Sequence, residues 1–528
     1  MSTNKSFDGN PDSHRSIIRS TSVLSAGTLS SRLLGFIRDI VLANLLGTGF
    51  RADAFFVALK IPNLFRVLVG EGAINAAVVP VLSEHLHKQE REAFWRFVSV
   101  IFALALIVLS VITILGILLA PLIVRILAPG FMVDAEKLRL TVQLTKFMFP
   151  YLVFIGLTAY GMGILFTFRS FLVPAFSPCL LNIAVIISAL LVSRTMAEPV
   201  FGIAVGVLVG GVLQLAAHIR PLVGVGMRLR KPDTLRHPGA VQIGKLLIPR
   251  MVGSGVYQLT VFIDTFCASL VMIVGQGGIS AIYYANRIIQ FPMGVFSIAL
   301  AMAVLPSLSG LAHKNDMESI KKTVVFSLEN IFFIMCPTTV MLVLFSQPLI
   351  RTLFQRGEFG AYSTGITAHA LMFYALGLFS FGGIKILVTV FHALQDTKTP
   401  VVVAAVCLTV NAALNFILMY PLKVGGIALA SAIAGTLDFL ALFYIMNKRL
   451  GGLNSGLFGY FSRVALAGLI TGVCSVILWE GLHFPQEFMN LCIVGVFSIV
   501  LYEIVCWALK IEQARKIWQW IRGVKRIS

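Results

Sequence analysis

Fourteen apolar runs follow one another from residue 22 to residue 510, at about 22–47, 54–82, 95–121, 142–168, 171–193, 199–225, 241–274, 280–311, 322–346, 364–392, 400–420, 425–447, 459–481 and 488–510. A helix rises about 1.5 Å per residue, so runs of this length cross a bilayer with some tilt. Inside lipid every backbone N–H and C=O must be satisfied within the fold, and continuous apolar runs meet that demand as helices. Only 12% of the 528 residues are charged and 58% are hydrophobic, whereas soluble domains average about 25% charged. The sequence therefore predicts an all-α polytopic membrane protein of fourteen transmembrane helices.

Charge inside those runs narrows the reading. The stretch from Ser31 to Gly72 reads SRLLGFIRD, then VLANLLGTGFRA, DAFFVALKIPNLFR and VLVGEGA. Arg32, Arg38, Asp39, Asp53, Lys60, Arg66 and Glu71 lie within or beside two consecutive spans. An ionisable group at membrane depth costs about 2.5–3.5 kcal/mol on insertion scales, so such groups usually face a bundle interior or a wet cavity. At 100° per residue, Asp53, Lys60 and Glu71 share one stripe, and Arg32 and Asp39 share another. That geometry assumes unbroken helices, and Pro62, Gly70 and Gly72 argue for a bend in the second. The plain alternative is mutual neutralisation that only fixes helix packing.

The formal charge of +19 comes from 42 Lys and Arg against 23 Asp and Glu. These cations are not collected in a soluble domain, which argues against a nucleic-acid partner; they are spread over loops and tails between spans. With the amino terminus inside, 26 of them fall on the cytoplasmic side, nine on the opposite side and seven within spans. A bias near three to one matches the positive-inside rule with both termini cytoplasmic. The seven within spans are Arg32, Arg38, Lys60, Arg66, Arg250, Arg287 and Lys385, whereas the inward acids are fewer: Asp39, Asp53, Glu71 and Asp264. A net positive cavity follows. The first twenty residues are polar and basic without a cleavable signal pattern, and are expected to stay in the cytoplasm.

The chain also repeats itself. Pro80 and Pro306, Pro174 and Pro400, and Arg125 and Arg351 are each 226 apart in the numbering; Gly130 and Gly357 differ by 227, and the MF pairs at 148 and 372 by 224. A shared offset across an even number of spans predicts two parallel six-helix lobes, a plan in which transporters place substrate between the repeats. The expected division is an N-tail (1–21), an N-lobe (22–225), a basic cytoplasmic linker (226–240), a C-lobe (241–447), two appended helices (448–510) and a basic C-tail (511–528).

Other chemistry is missing. No phosphate-loop motif occurs, and His85 and His87 form an HxH pair without a third ligand, better read as a solvated loop than as a metal site. The seven cysteines sit in apolar runs without metal-ligand spacing and read as small buried hydrophobes. No loop is long enough for a soluble catalytic domain, so an enzyme is not expected and no cofactor is implied. Arginine suits phosphate because its planar fork makes paired charged hydrogen bonds and stays protonated. The expected ligand is a large anion carrying phosphate or diphosphate. Gly202, Gly206 and Gly210 give the sixth span a small-residue face for packing.

SRLLGFIRD, DAFFVALKIPNLFR with the following GEGA, YYANRIIQFP (283–292) and FHALQDTKTP (391–400) closely resemble the MurJ/MviN family of bacterial lipid II flippases, within the multidrug/oligosaccharidyl-lipid/polysaccharide exporter superfamily. The similarity runs from about Ser22 to the C-terminal tail. It implies a multi-pass inner-membrane protein whose two lobes enclose a cationic cavity, with helices 13 and 14 forming a groove for the undecaprenyl tail. The implied cargo is lipid II, moved from the cytoplasmic to the periplasmic leaflet, with surrounding bacterial membrane lipids as the other partners. A single chain suffices for this plan, with association with the cell-wall synthesis machinery as a further expectation.

Carried over by motif, Arg32 and Arg38 match the family's first-helix arginines, Asp53 opens the second helix, and Lys60, Arg66 and Glu71 continue its charged face. Arg287 matches the eighth-helix arginine and Lys385 the cavity lysine of the tenth; Arg250 has no clear family counterpart and is read as an additional anion contact. Asn286 and Gln290 stand where some members carry acids, which makes that lobe more positive. The resemblance implies that Arg32, Arg38 and Arg287 clamp the head group while Asp39, Asp53, Glu71, Asp264 and the Asn286 position serve the charge switch between states. Two rivals share the superfamily: a flippase for another polyprenyl-diphosphate-linked glycan, and a cation-coupled amphiphile exporter, which would line its cavity with acids. A non-transporting scaffold is a third. The coupling ion and the oligomeric state stay open.

Overall fold

The computed structural model describes residues 11–69, 73–88, 90–453, 456–482 and 484–521. Among them the secondary structure is helical throughout. In chain order the helices are α1 (Pro11–Leu46), α2 (Phe50–Val69), α3 (Ala73–Lys88), α4 (Arg91–Leu127), α5 (Ala135–Met148), α6 (Tyr151–Thr167), α7 (Leu172–Ile187), α8 (Pro199–Gly224), α9 (Pro238–Ser269), α10 (Val271–Val274) and α11 (Gly278–Pro292). There follow α12 (Ala299–His313), α13 (Met317–Leu344), α14 (Ser346–Phe354), α15 (Ala361–Leu376), α16 (Leu378–Ala393), α17 (Lys398–Leu422), α18 (Val424–Arg449), α19 (Gly456–Gly481), α20 (Glu487–Ala508) and α21 (Glu512–Ile521). The chain forms two compact units, residues 1–46 with 50–258, and residues 47–49 with 259–528.

Ten of the described helices are long and apolar enough to cross a membrane, or eleven with the bent pair α15 and α16 taken as one span. The runs around α1, α2 and α9 fall outside that count. Each carries charge inside its apolar stretch: Arg32, Arg38 and Asp39 on α1, Asp53, Lys60 and Arg66 on α2, and Lys245, Arg250 and Asp264 on α9. All of these except Lys245 are charges that single the runs out in the sequence. The fourth span begins earlier than the sequence suggests, at Ala135 rather than 142, because α5 and α6 join around Phe149 and Pro150 into one apolar stretch.

Within the first unit, α7 and α8 meet along the glycine stripe. A Cβ on Gly206 would lie 2.6 Å from Ser188 Cβ and 2.9 Å from Val185 Cα, and one on Gly210 would lie 2.7 Å from Leu181 Cδ1. One on Gly202 would strike the backbone of Ser193. Small residues let the two backbones approach, and dispersion then replaces the missing hydrophobic drive in lipid. Gly206→Leu is expected to lower stability by about 1–3 kcal/mol through overpacking, read as a fall in the thermal unfolding midpoint in detergent, whereas Gly224→Ala, whose Cβ meets nothing within 4 Å, should change little.

The offset of the sequence repeat recurs in the helix boundaries. Helix α7 starts at Leu172 and α17 at Lys398, the same interval that separates the paired prolines, and α8 and α18 are displaced by 225 at both ends. Arg169 after α6 and Gln395 after α16, again 226 apart, both adopt the left-handed conformation, at φ 56° and 59°. Each stop is closed alike, with Ser170 N–H donating to the Leu165 carbonyl at 2.8 Å and Asp396 N–H to the Phe391 carbonyl at 2.9 Å, the closure of a Schellman motif. Asp396 then accepts from Thr399 N–H at 3.0 Å and Oγ1 at 2.8 Å, and from Arg449 Nη1 at 2.9 Å. The Thr399 bonds, with Arg449 added, hold its carboxyl below the usual carboxylate range.

In the second unit, α19 and α20 pack beside α13. Tyr502 donates to the Phe333 carbonyl at 2.8 Å and Tyr460 to the Glu329 carbonyl at 3.1 Å. Buried Ile511 and Ala514, at and just inside the start of α21, close the base of that cluster. The outer faces of α19 and α20, including Leu469, Ile477, Val496 and Ile499, are exposed and apolar, as a lipid-facing surface requires.

Candidate functional site

On α1, Arg38 Nε and Nη2 donate to Asp39 Oδ1 at 3.0 and 2.7 Å, and Nη1 donates to Asn182 Oδ1 on α7 at 3.1 Å. Asn182 Nδ2 in turn donates to the Ser31 carbonyl at 3.1 Å. Asp39 is fully buried. Arg38 is thus paired with an acid on its own helix. A carboxylate taken out of water costs several kcal/mol unless a cation and further hydrogen bonds compensate it, and the neighbouring guanidinium fork supplies both. Arg32, two turns earlier, is half-buried on the same helix.

The second cluster joins α2 to α5. Asp53 Oδ2 accepts from Lys137 Nζ at 2.8 Å, with the side chains 1% and 4% exposed. Lys137 Nζ also lies 4.2 Å from the centre of the Phe131 ring. Asp134 caps α5, accepting from Glu136 N–H at 3.1 Å and Lys137 N–H at 3.0 Å, and so sets the register that carries Lys137 inward. By span counting Lys137 belongs with the nine extramembrane cations; the structure buries it as the partner of Asp53. Lys60, two turns along α2 from Asp53, is half-buried.

In the second unit Asp264, on α9, accepts from Asn415 Nδ2 at 2.8 Å and Ser431 Oγ at 2.9 Å. Asn411 extends the network, accepting from Asn415 at 3.2 Å and donating to Ser431 Oγ at 3.3 Å. Asn286 accepts from Gln290 Nε2 at 3.0 Å, one turn along α11, with half-buried Arg287 beside it. Lys385 on α16 lies within electrostatic reach of buried Asp438 on α18. Glu71 lies outside the described residues, as do the side chains of Arg66 and Arg250.

The partners that the sequence reading missed are Lys137, Asn182, Asn411, Asn415, Ser431 and Asp438. For Lys137 a signal existed: Lys137, Leu140, Thr141, Leu144, Thr145 and Met148 fall on one stripe of α5, and all are buried. The asparagines and Ser431 are neutral, so a census of charge passes over them.

The arrangement is one of ionisable groups lodged inside helices of span length, held by one or two polar contacts each. The family model described as Lipid II flippase MurJ matches residues 42–500. The chain belongs to the MurJ family of lipid II flippases. It is 35% identical over 484 residues to the lipid II flippase MurJ of Burkholderia cenocepacia, covering 90% of this chain and 92% of that one. To the probable lipid II flippase MurJ of Rhizobium tropici it is 37% identical over 440 residues, covering 82% and 81%. A solved structure of lipid II flippase MurJ in an inward closed conformation matches with a TM-score of 0.79 at 27% identity, over 91% of this chain and 97% of that one. An inward-facing multidrug resistance MATE family transporter of the MOP superfamily matches with a TM-score of 0.67 over 80% and 94%; at 16% identity it shares the fold alone. Membership in MurJ makes this a multi-pass membrane protein of a transporter family, and ties the buried charges of α1 and α2 to that setting.

Proposed function

We propose that this protein moves lipid II from the cytoplasmic to the periplasmic leaflet by alternating access through a cationic central cavity between an N-lobe and a C-lobe. The observation that carries the reading is MurJ membership over nearly the whole chain, and the charged residues of α1 and α2 give it a mechanism. Arg32, Arg38 and Arg287 bind the diphosphate and sugar head, with Lys60, Arg66, Lys385 and Arg250 as further cations. The undecaprenyl tail stays in lipid along a groove at α19 and α20. Binding a polyanion competes with Asp39 for the Arg38 fork. Asp53 then exchanges its partner between Lys137 and Lys60, with Glu71, Asp264 and the Asn286 position sharing the charge change as the site reopens outward. A negative cell interior favours outward movement of anionic groups by about 2.3 kcal/mol per charge per 100 mV, so membrane potential drives the cycle without nucleotide.

In a strain depleted of its own lipid II flippase, the wild-type chain is expected to restore growth and lipid II translocation, and Arg32→Ala to restore neither. Full activity of Arg32→Ala at normal abundance overturns the clamp. Failure of the wild-type chain, combined with transport of another polyprenyl-diphosphate glycan, moves the reading to that cargo.

A further inference from the structure

Beyond the cargo route, we infer that the first unit holds a separate phosphate-binding pocket where the start of α4 meets the segment after α8. A cavity of about 310 Å³ is lined there by Arg91, Glu92, Trp95, Arg96, Gly226, Arg228 and Arg230, the size of a small ligand site. Four guanidinium groups and one carboxylate converge on it. Glu92 is taken up by Arg230, whose Nη1 donates to Oε1 at 2.7 Å. Among the described residues no carboxylate pairs with Arg91, Arg96 or Arg228, so the pocket keeps a net charge of three cations.

The segment that carries two of these arginines is held in place. Ser99 Oγ accepts from Arg230 N–H at 3.1 Å while its own proton goes to the Trp95 carbonyl at 2.8 Å, and Ser99 is itself buried on α4. Gly226, at φ 91°, turns the chain after α8 in a conformation that side chains disfavour. Trp95 forms an apolar wall, stacked on Phe168 with ring centres 5.7 Å apart. The cavity also sits at the first turn of α4, whose Glu90 cap makes no side-chain bond, so free backbone N–H groups add positive potential. All four arginines are exposed to water, which screens their mutual repulsion and leaves the hollow open to an anionic group from outside. A phosphate group with paired guanidinium contacts is the chemistry that fits.

Two sources present that chemistry: the headgroup of an acidic phospholipid and a soluble diphosphate. The full-length protein in neutral detergent is titrated with short-chain phosphatidylglycerol, with phosphatidylcholine, and with inorganic pyrophosphate, following labelling of Arg96 and Arg228 by an arginine-specific dicarbonyl reagent through peptide mass. Protection by phosphatidylglycerol but not phosphatidylcholine assigns the site to acidic lipid; protection by pyrophosphate alone assigns it to a soluble anion. In the R96Q variant the ligand concentration that protects Arg228 should rise about tenfold, the order of one charge-assisted hydrogen bond, whereas in K245Q on α9 it should be unchanged. Equal labelling with and without all three compounds in the wild-type protein overturns the proposal, and that readout does not depend on any variant folding.

Discussion

Lys137→Met is expected to destabilise the protein by about 3–5 kcal/mol, because it strands the carboxylate of Asp53 in a site 1% exposed. The ammonium leaves with it a hydrogen bond to Oδ2 and a contact over the Phe131 ring. Neutralising both partners, in Asp53→Asn with Lys137→Met, should recover most of the loss, since an uncharged pair of similar volume leaves no lone charge buried. Thermal unfolding in detergent checks both. If the pair also exchanges partners during transport, the double variant should be stable and yet fail to support growth in a flippase-depleted strain. A stable double variant with full activity would reduce the pair to packing.

Arg38→Ala should cost a similar amount, with a lost contact between helices added to the stranded carboxylate. It leaves Asp39 buried and takes away the donor to Asn182 that ties α1 to α7. Adding Asp39→Asn should restore stability to within about 1 kcal/mol, the size of an ordinary net hydrogen bond, because the residual loss is the Asn182 contact. Translocation should remain lost in that stable double variant if the guanidinium also meets substrate. Recovery of both stability and translocation together would show that Arg38 serves the fold alone.

How much of this was legible beforehand depended on the kind of signal each residue sends. A close-packing face on α8 is readable because glycine at every fourth position on an apolar helix has few other uses, but that α7 covers it is not. The choice of Asp39 as partner for Arg38 was not: neighbours at i and i+1 do not face each other on a helix, and the wider spacing on one stripe favoured Arg32 instead. The long arginine stem folds back and brings Nε and Nη2 to one oxygen, a rotamer that no periodicity encodes. Its position between two apolar runs makes Lys137 look extramembrane, while its place on the buried stripe of α5 points it inward. Asp264 was marked as inward, but Asn411, Asn415 and Ser431, which complete its network, lie far along the chain and carry no charge to betray them.

The interval that separates the start of α7 from the start of α17 also separates Arg38 from Asp264. One place in the repeated fold thus holds an arginine, paired with its neighbour Asp39, the first time and an aspartate the second, and on each occasion an asparagine from the corresponding later helix reaches it, Asn182 in one case and Asn415 in the other. The two repeats are therefore not interchangeable cassettes. A chain assembled from two copies of the first would lack the acceptor that Asn415 and Ser431 meet at Asp264, and one assembled from two copies of the second would lack the guanidinium that reaches Asn182.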